Sequence, residues 1–125
     1  MTTTTSDVTT FAGLRARFRG TLLRPGEEGY DEARRVWNGA IDRRPALIAR
    51  CAGADDVVTA VRYARRRGLT VSVKSGGHSI SGLSVCDDGL MIDLSLMKSV
   101  AVDPGARTAV AAAGLLWGEF DPATQ

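Results

Sequence analysis

A strand–helix–strand pattern over residues 46–74 constrains the fold of this chain more than any other feature of its sequence. The short apolar run Ala46–Ala49 has the length and the flanking residues of a buried strand. The next segment predicts a helix, because Val57, Val61 and Ala64 form an apolar stripe with spacing i, i+4 and i+7. Gly68 suits the C-terminal end of this helix. The alternating segment Leu69–Lys74 then predicts a second strand, parallel to the first and joined to it by a right-handed crossover.

Three more short strands are predicted in the second half of the chain. Apolar residues in runs of strand length occupy positions 90–94, 100–102 and 108–111. The turn signal Asp103–Gly105 lies between the last two, which predicts that they form an antiparallel pair. The predicted fold class is therefore α+β, with an α/β start of parallel strands followed by short antiparallel strands.

The chain divides into three stretches. Residues 1–10 are rich in threonine and predict a disordered tail, and residues 11–44 predict a helical and loop segment in which Phe11–Phe18 forms a short amphipathic helix. Residues 45–125 contain the strand pattern and predict a single domain. Near its end, Leu116, Trp117 and Phe120 begin a helical stripe, and Asp121–Pro122 has the order of an N-cap and a first helical residue.

The composition excludes several classes of protein. With 44% hydrophobic and 24% charged residues, the chain is typical of a globular domain, and its net charge of +2 is too small to indicate nucleic-acid binding. No apolar run approaches the roughly 18 residues of a membrane span, and no secretory signal pattern opens the chain. Cys51 and Cys86 lack the spacing of a disulfide framework or a metal site, so we expect both to be free thiols. Free thiols in turn predict a reducing compartment and a cytoplasmic location.

The segment Lys74–Ser84 contains the residues that could bind a ligand or take part in a reaction. It leaves the carboxyl end of the second predicted strand, which is where open parallel sheets bind ligands. Gly76 and Gly77 allow consecutive backbone N–H groups to converge on an anion such as a pyrophosphate, and Lys74 adds a charge at the rim. The spacing matches neither the Rossmann turn nor the P-loop, and an ordinary surface loop is the alternative.

His78 is the only histidine in the chain. A histidine held by a glycine turn has the chemistry of a base, a ligand or a nucleophile, while a lone histidine is also commonly an ordinary polar residue. A zinc site needs further Cys or His ligands at suitable spacing, and the sequence offers none. No metal is therefore expected.

The stretch from Arg50 to Trp117, centred on Val73–Ser79, resembles the first part of the flavin-binding domain of berberine bridge enzyme-like oxidases. These oxidases belong to the superfamily of vanillyl-alcohol oxidase and p-cresol methylhydroxylase (PCMH). Asp88–Ser95 also follows the order and spacing of that family. The resemblance implies that residues 45–125 are the amino-terminal part of a PCMH-type FAD-binding domain.

The same resemblance assigns roles to individual residues. It implies that the backbone of residues 75–79 cradles the FAD pyrophosphate, and that His78 is the histidine bonded covalently to the flavin 8α-methyl group. The implied cofactor-binding residues are Lys74, Ser75, Gly76, Gly77, His78, Ser79, Gly82 and Leu83. The implied activity is that of an FAD-linked oxidase, in which the flavin takes a hydride from a small-molecule C–H donor and passes electrons to oxygen.

Length sets this chain apart from those oxidases. They run to several hundred residues, with a second part of the flavin domain and a substrate domain that supplies the catalytic base, whereas this chain has 125 residues. We therefore expect an amino-terminal fragment that is inactive alone, with FAD as its partner and a small molecule as the substrate of the complete protein. The alternative is a stand-alone nucleotide-binding or interaction module without catalysis.

Overall fold

The structure is a computed structural model and describes residues 8–125. Its helices are α1 (Phe11–Arg17), α2 (Tyr30–Ala33), α3 (Ala54–Arg67) and α4 (Trp117–Thr124). Its strands are β1 (Thr21–Leu23), β2 (Leu47–Arg50), β3 (Val71–Lys74), β4 (Leu90–Asp93), β5 (Val100–Asp103) and β6 (Thr108–Ala111). A mainly parallel sheet and a separate antiparallel pair confirm the predicted α+β class.

The larger sheet has the strand order β1-β2-β4-β3. Strands β2 and β3 both run parallel to β4, which lies between them. The predicted strand–helix–strand unit is therefore confirmed, although its two strands are not neighbours. The edge strand β1 pairs antiparallel with β2 and was not predicted, because three residues between Gly20 and a Pro-Gly turn are too few to show an alternating pattern.

Both faces of the central strands β2 and β4 are covered by apolar layers. One layer comes from α1 and α3 and packs on alternate residues of the central strands; it includes Leu14, Ala49, Ala60 and Ile92. The other layer comes from α2 and the connecting segments; it includes Tyr30, Ile48, Val85 and Met91. Strand β4 is buried along its whole length, as a parallel strand covered on two sides should be.

Helix α3 ends where the sequence predicts and buries part of the predicted stripe. Gly68 takes the left-handed C-terminal position with φ 65°. Ala64 is buried and Val57 packs against the core, but Val61 is 43% exposed, so that part of the prediction was wrong. The buried residues of the helix are Asp56, Ala60, Tyr63 and Ala64. Asp56 was missed because a search for apolar periodicity passes over a buried carboxylate.

Asp56 connects α3 to the chain between α1 and β1. Its side chain is 2% exposed. The carboxylate accepts hydrogen bonds from the backbone N–H groups of Arg19 and Gly20, both at 2.8 Å, and of Ala52 at 2.9 Å. These three charge-assisted bonds offset the cost of burying the carboxylate.

The predicted antiparallel pair is confirmed as the hairpin β5–β6, with Val100 opposite Ala111. The helical stripe predicted from Leu116 onward is confirmed as α4, which begins at Trp117. The interpretation of Asp121–Pro122 as an N-cap and first helical residue was wrong, because the helix begins earlier and Pro122 lies inside it. Glu119 caps this earlier start, because its carboxylate accepts a hydrogen bond from the N–H of Leu116 at 2.8 Å.

The first seven residues of the predicted disordered tail, 1–10, lie outside the described part of the chain. Its last three residues lie within the described part and make defined contacts. Val8 is 3% exposed, and the hydroxyl of Thr10 accepts a hydrogen bond from the N–H of Gly13 at 3.0 Å as the N-cap of α1. Between residues 8 and 125, no helix is both long and apolar enough to cross a membrane.

Candidate functional site

The candidate site is built on the loop after β3, residues 75–84, called the glycine loop below. It leaves the carboxyl end of a parallel strand, at the point where the N–H of Leu94 donates to the carbonyl of Lys74 at 2.8 Å. Gly77 is buried and has φ 73°, in the left-handed region that favours glycine. The predicted glycine-dependent turn is therefore present.

A row of backbone N–H groups in this loop suits an anion. Within the described part of the chain, none of the N–H groups of residues 75–79 donates to a protein acceptor. Of these five residues only Gly77 is buried, so a ligand in solution can reach the others. Successive N–H groups in a turn form a concavity that binds phosphate oxygens. These residues therefore fit a pyrophosphate such as that of FAD.

His78 lies at an open pocket of about 450 Å³, a size typical of small-molecule sites. The imidazole is exposed, so a planar ligand can reach its ring nitrogens. The glycine loop forms one wall and the start of α4 forms the other; the lining residues are Ser75, Gly76, His78, Leu115, Leu116, Trp117 and Gly118. The hydroxyl of Ser75 donates to the carbonyl of Ala113 and so links the glycine loop to the segment that precedes α4.

The Lys74 side chain runs beside the glycine loop, because a Cβ on Gly77 would lie 3.2 Å from its Cε. Its ammonium donates to the carbonyl of Ala33 at 2.8 Å. Burial lowers the pKa of this amine, while the nearby carboxylate of Asp93 acts in the opposite direction. The side chain thus joins β3 to the end of α2, and its contribution to anion binding stays a prediction.

The far end of the glycine loop is held by internal bonds. The hydroxyl of Ser79 accepts a hydrogen bond from the N–H of Leu83, and the backbone carbonyl of Ser79 accepts one from the N–H of Gly82. Gly82 is buried with φ 78°, and a Cβ there would lie 2.9 Å from the side chain of Ile41. The side chain of Leu83 is 74% exposed. Of the eight candidate residues, three line the pocket together: Ser75, Gly76 and His78.

The structure also brings Trp37 to the site, a residue that no sequence pattern indicated. The centroid of its indole ring lies 6.4 Å from that of the His78 ring, with 31° between the planes. Its backbone N–H donates to the carbonyl of Gly77 at 2.8 Å. A single tryptophan in an irregular segment carries no periodic signal, so no pattern marks this contact in the sequence.

The two cysteines lie away from the pocket. Burial raises the pKa of the Cys51 thiol to about 12, with the carboxylates of Asp56 and Asp93 adding to the rise. Cys86 is half-buried and accepts a hydrogen bond from the hydroxyl of Ser72. Both are free thiols, as predicted. Over residues 8–125, no group of three or more His, Cys, Asp or Glu side chains could hold a metal ion.

A domain that presents unpaired N–H groups and an exposed histidine at the carboxyl end of a parallel strand has the features of a nucleotide-cofactor-binding domain. Comparison with known proteins identifies the family. The chain belongs to the FAD binding domain family, whose sequence profile matches residues 45–125. The expected resemblance to a PCMH-type FAD-binding domain is therefore confirmed.

Individual relatives agree with this assignment. The (R)-6-hydroxynicotine oxidase of Paenarthrobacter nicotinovorans is 40% identical over 102 residues, which are 82% of this chain and 22% of that protein. The crystal structure of 6-hydroxy-D-nicotine oxidase from Arthrobacter nicotinovorans matches with a TM-score of 0.78 at 39% identity, over 82% of this chain and 22% of the other. BBE-like 1 of Physcomitrella patens matches with a TM-score of 0.75 at 28% identity, over 85% and 23%. The chain thus spans about a fifth of the length of these relatives.

Proposed function

We propose that this chain is the part of an FAD-dependent oxidoreductase that holds the FAD pyrophosphate in residues 75–79 and bonds the flavin through His78. The observation that carries the proposal is the row of unpaired N–H groups next to an exposed imidazole at one pocket. Membership of the FAD binding domain family supplies the identity of the nucleotide. The similarity to (R)-6-hydroxynicotine oxidase supports an oxidase.

The glycine loop binds and orients the cofactor. Its N–H groups offset the charge of the diphosphate. A Cβ on Gly76 would lie 3.2 Å from the imidazole of His78 and 3.4 Å from the side chain of Leu116. Glycine at this position therefore leaves the imidazole and the opposite wall of the pocket free to approach a ligand.

His78 acts as the nucleophile in attachment. One of its ring nitrogens forms a bond to the 8α-methyl carbon and replaces one hydrogen there. The net step would release one proton from the methyl group, one from the imidazole, and the two electrons of the broken C–H bond. Dioxygen, the acceptor of an oxidase, takes up the two electrons and two protons as hydrogen peroxide.

The redox chemistry belongs to the cofactor. When bound, FAD would supply hydride acceptance from a small-molecule C–H donor and electron transfer to oxygen. The residues of this chain bind the cofactor and fix its orientation. The residues that select the substrate are outside this proposal, because the chain spans about a fifth of its relatives.

Acid precipitation of the chain after expression with FAD tests the proposal. We expect flavin absorbance to stay with the precipitated polypeptide, and to disappear from the precipitate of His78→Ala. Ser81→Ala, which removes an exposed hydroxyl of the same loop, is the control and should retain the flavin. Flavin that stays on His78→Ala contradicts attachment through His78. A wild-type chain that binds no FAD at all contradicts the whole proposal and favours a module without flavin.

A further inference from the structure

Residues 33–43 contact the glycine loop at both of its ends. These residues precede the stretch matched by the FAD binding domain family, which begins at residue 45. The hydrogen bonds to the loop, with donors first, are Trp37 N–H to Gly77 O at 2.8 Å, Asn38 Nδ2 to Ile80 O at 2.9 Å, and Arg43 Nη1 to Gly82 O at 2.7 Å. A fourth bond runs from Lys74 Nζ, directly before the loop, to Ala33 O.

We propose that residues 33–43 are part of the flavin site and form a clamp, which fixes the shape of the glycine loop and sets the Trp37 ring beside His78. Trp37 is then a positioning residue for attachment of the flavin. The role of Trp37 rests on the proposed function, whereas the effect of the clamp on the shape of the glycine loop concerns the protein without its cofactor.

The clamp acts on the two points where the loop turns. Gly77 and Gly82 both have left-handed φ angles, of 73° and 78°. Each of them offers its carbonyl to a donor from the clamp, Gly77 to a backbone N–H and Gly82 to the guanidinium of Arg43. The Ile41 side chain lies so close to Gly82 that any Cβ there would meet it. Loops without such contacts open at little free-energy cost, so these bonds determine which shape the loop holds.

The clamp is itself a compact turn. The side-chain oxygen of Asn38 accepts a hydrogen bond from the N–H of Ala40 at 3.1 Å, and its carbonyl accepts one from Ile41 at 3.0 Å. The side-chain amide of Asn38 is therefore held in the orientation that donates to Ile80. An asparagine that closes its own turn in this way leaves its NH₂ group free for a distant acceptor.

The ring of Trp37 lies beside His78 at the site and is not packed into the core. It is 68% exposed, although its backbone is fixed by the bond to Gly77. Within the described residues its only aromatic neighbour is His78, at a centroid distance typical of aromatic pairs. An exposed ring adds little to folding stability, so replacing it should change the orientation of the imidazole more than the stability of the fold.

Hydrogen exchange on the chain prepared without flavin tests the clamp. The informative amides are those of Gly82, Leu83 and Val85, which are hydrogen-bonded within the loop. Arg43→Met keeps the aliphatic stem but removes the bonds to Gly82 O and Val85 O. We expect these amides to exchange about tenfold faster, while amides of α3 keep their wild-type rates.

Arg44→Met is the matched control for this experiment. Arg44 forms a surface ion pair with Asp31 and lies over the Tyr30 ring, with no side-chain bond to the glycine loop. Its substitution should leave the three loop amides unchanged. Wild-type exchange in Arg43→Met overturns the clamp, whatever the behaviour of the flavin.

The fraction of bound flavin that survives acid precipitation tests Trp37. We expect Trp37→Leu to lower this fraction about tenfold at an unchanged melting temperature, and Trp37→Phe to restore most of it. Trp37→Leu with the wild-type fraction overturns the role of Trp37. If the wild-type chain carries no covalent flavin, the proposed function fails and the role of Trp37 fails with it, while the exchange experiment still decides the clamp.

Discussion

The four-stranded sheet and the hairpin β5–β6 contain strands of similar length but opposite burial. Strand β4 is buried along all four of its residues, whereas β6 is exposed along all four. The sheet has an apolar layer on each face, while α4, which contacts the hairpin, buries none of its residues. The difference shows that packing stabilises the sheet, whereas the hairpin and α4 depend on local hydrogen bonds and ion pairs.

The candidate site lies between these two regions. One wall of the His78 pocket is the glycine loop, which extends directly from β3 of the sheet. The opposite wall is the start of α4, with Leu116 and Trp117 both largely exposed. A nucleotide held by the glycine loop is therefore positioned by the well-packed region and contacts the weakly packed one.

The largest effect that separates the two regions is expected from Ile92→Ala in β4. Ile92 is 1% exposed, and deleting its side chain leaves a cavity in the core. We expect a loss of about 4 kcal/mol in the free energy of unfolding, measured by denaturant titration. Val110→Ala in β6 is the control, because Val110 is 72% exposed and its substitution should cost at most about 0.5 kcal/mol. Equal losses from the two substitutions would contradict the assignment of stability to the sheet.

Asp56→Ala is expected to have the next largest effect. The substitution removes the acceptor of three backbone N–H groups in a buried position, and we expect it to cost about 2 kcal/mol. Asp55→Ala is the matched control from the same helical turn. The Asp55 side chain is exposed and interacts with the helix dipole alone, so its loss should cost about 0.5 kcal/mol. A small effect at Asp56 would show that water replaces the carboxylate and that the contact between α3 and residues 19–20 is dispensable.

These two carboxylates show how far the fold follows from the sequence. The end of α3 at Gly68 and the strand β4 were predicted correctly, because the residues that determine them lie next to each other in the chain. The burial of Asp56 was not predicted, because its hydrogen bonds join it to residues 36 and 37 positions away in the chain. Long-range hydrogen bonds of this kind leave no periodic trace in a sequence.

The candidate site divides in the same way. The glycine loop and His78 were selected from local residue types, since adjacent glycines and a lone histidine are visible in the sequence. The clamp was assigned to a connecting segment, because its bond from Asn38 to Ile80 spans 42 positions and nothing around Asn38 indicates its partner. The orientation of the Lys74 ammonium also depends on a distant carbonyl, that of Ala33.

The smallest expected effect tests the local bonds of the weakly packed region. Lys98 and Glu119 form an ion pair at 2.8 Å that joins the start of the hairpin to α4. The hydrogen bond from Lys98 lowers the pKa of the Glu119 carboxyl, and the N–H of Leu116 lowers it further. In Lys98→Met we expect the pKa of Glu119 to rise toward its ordinary value and to remain partly lowered, because the Leu116 bond persists. An NMR titration of the Glu119 side chain measures this.

The direction of the pH dependence follows from the lowered pKa. A carboxyl whose pKa is lower in the folded state stabilises the fold above its unfolded pKa of about 4.3, and that contribution is lost as the pH falls through the folded pKa. Both side chains are more than a third exposed, so added salt should weaken the wild-type pair in the same direction as Lys98→Met does. If the pKa of Glu119 is the same in wild type and in Lys98→Met, the bond to Leu116 accounts for it, and α4 is held by its own cap rather than by the hairpin.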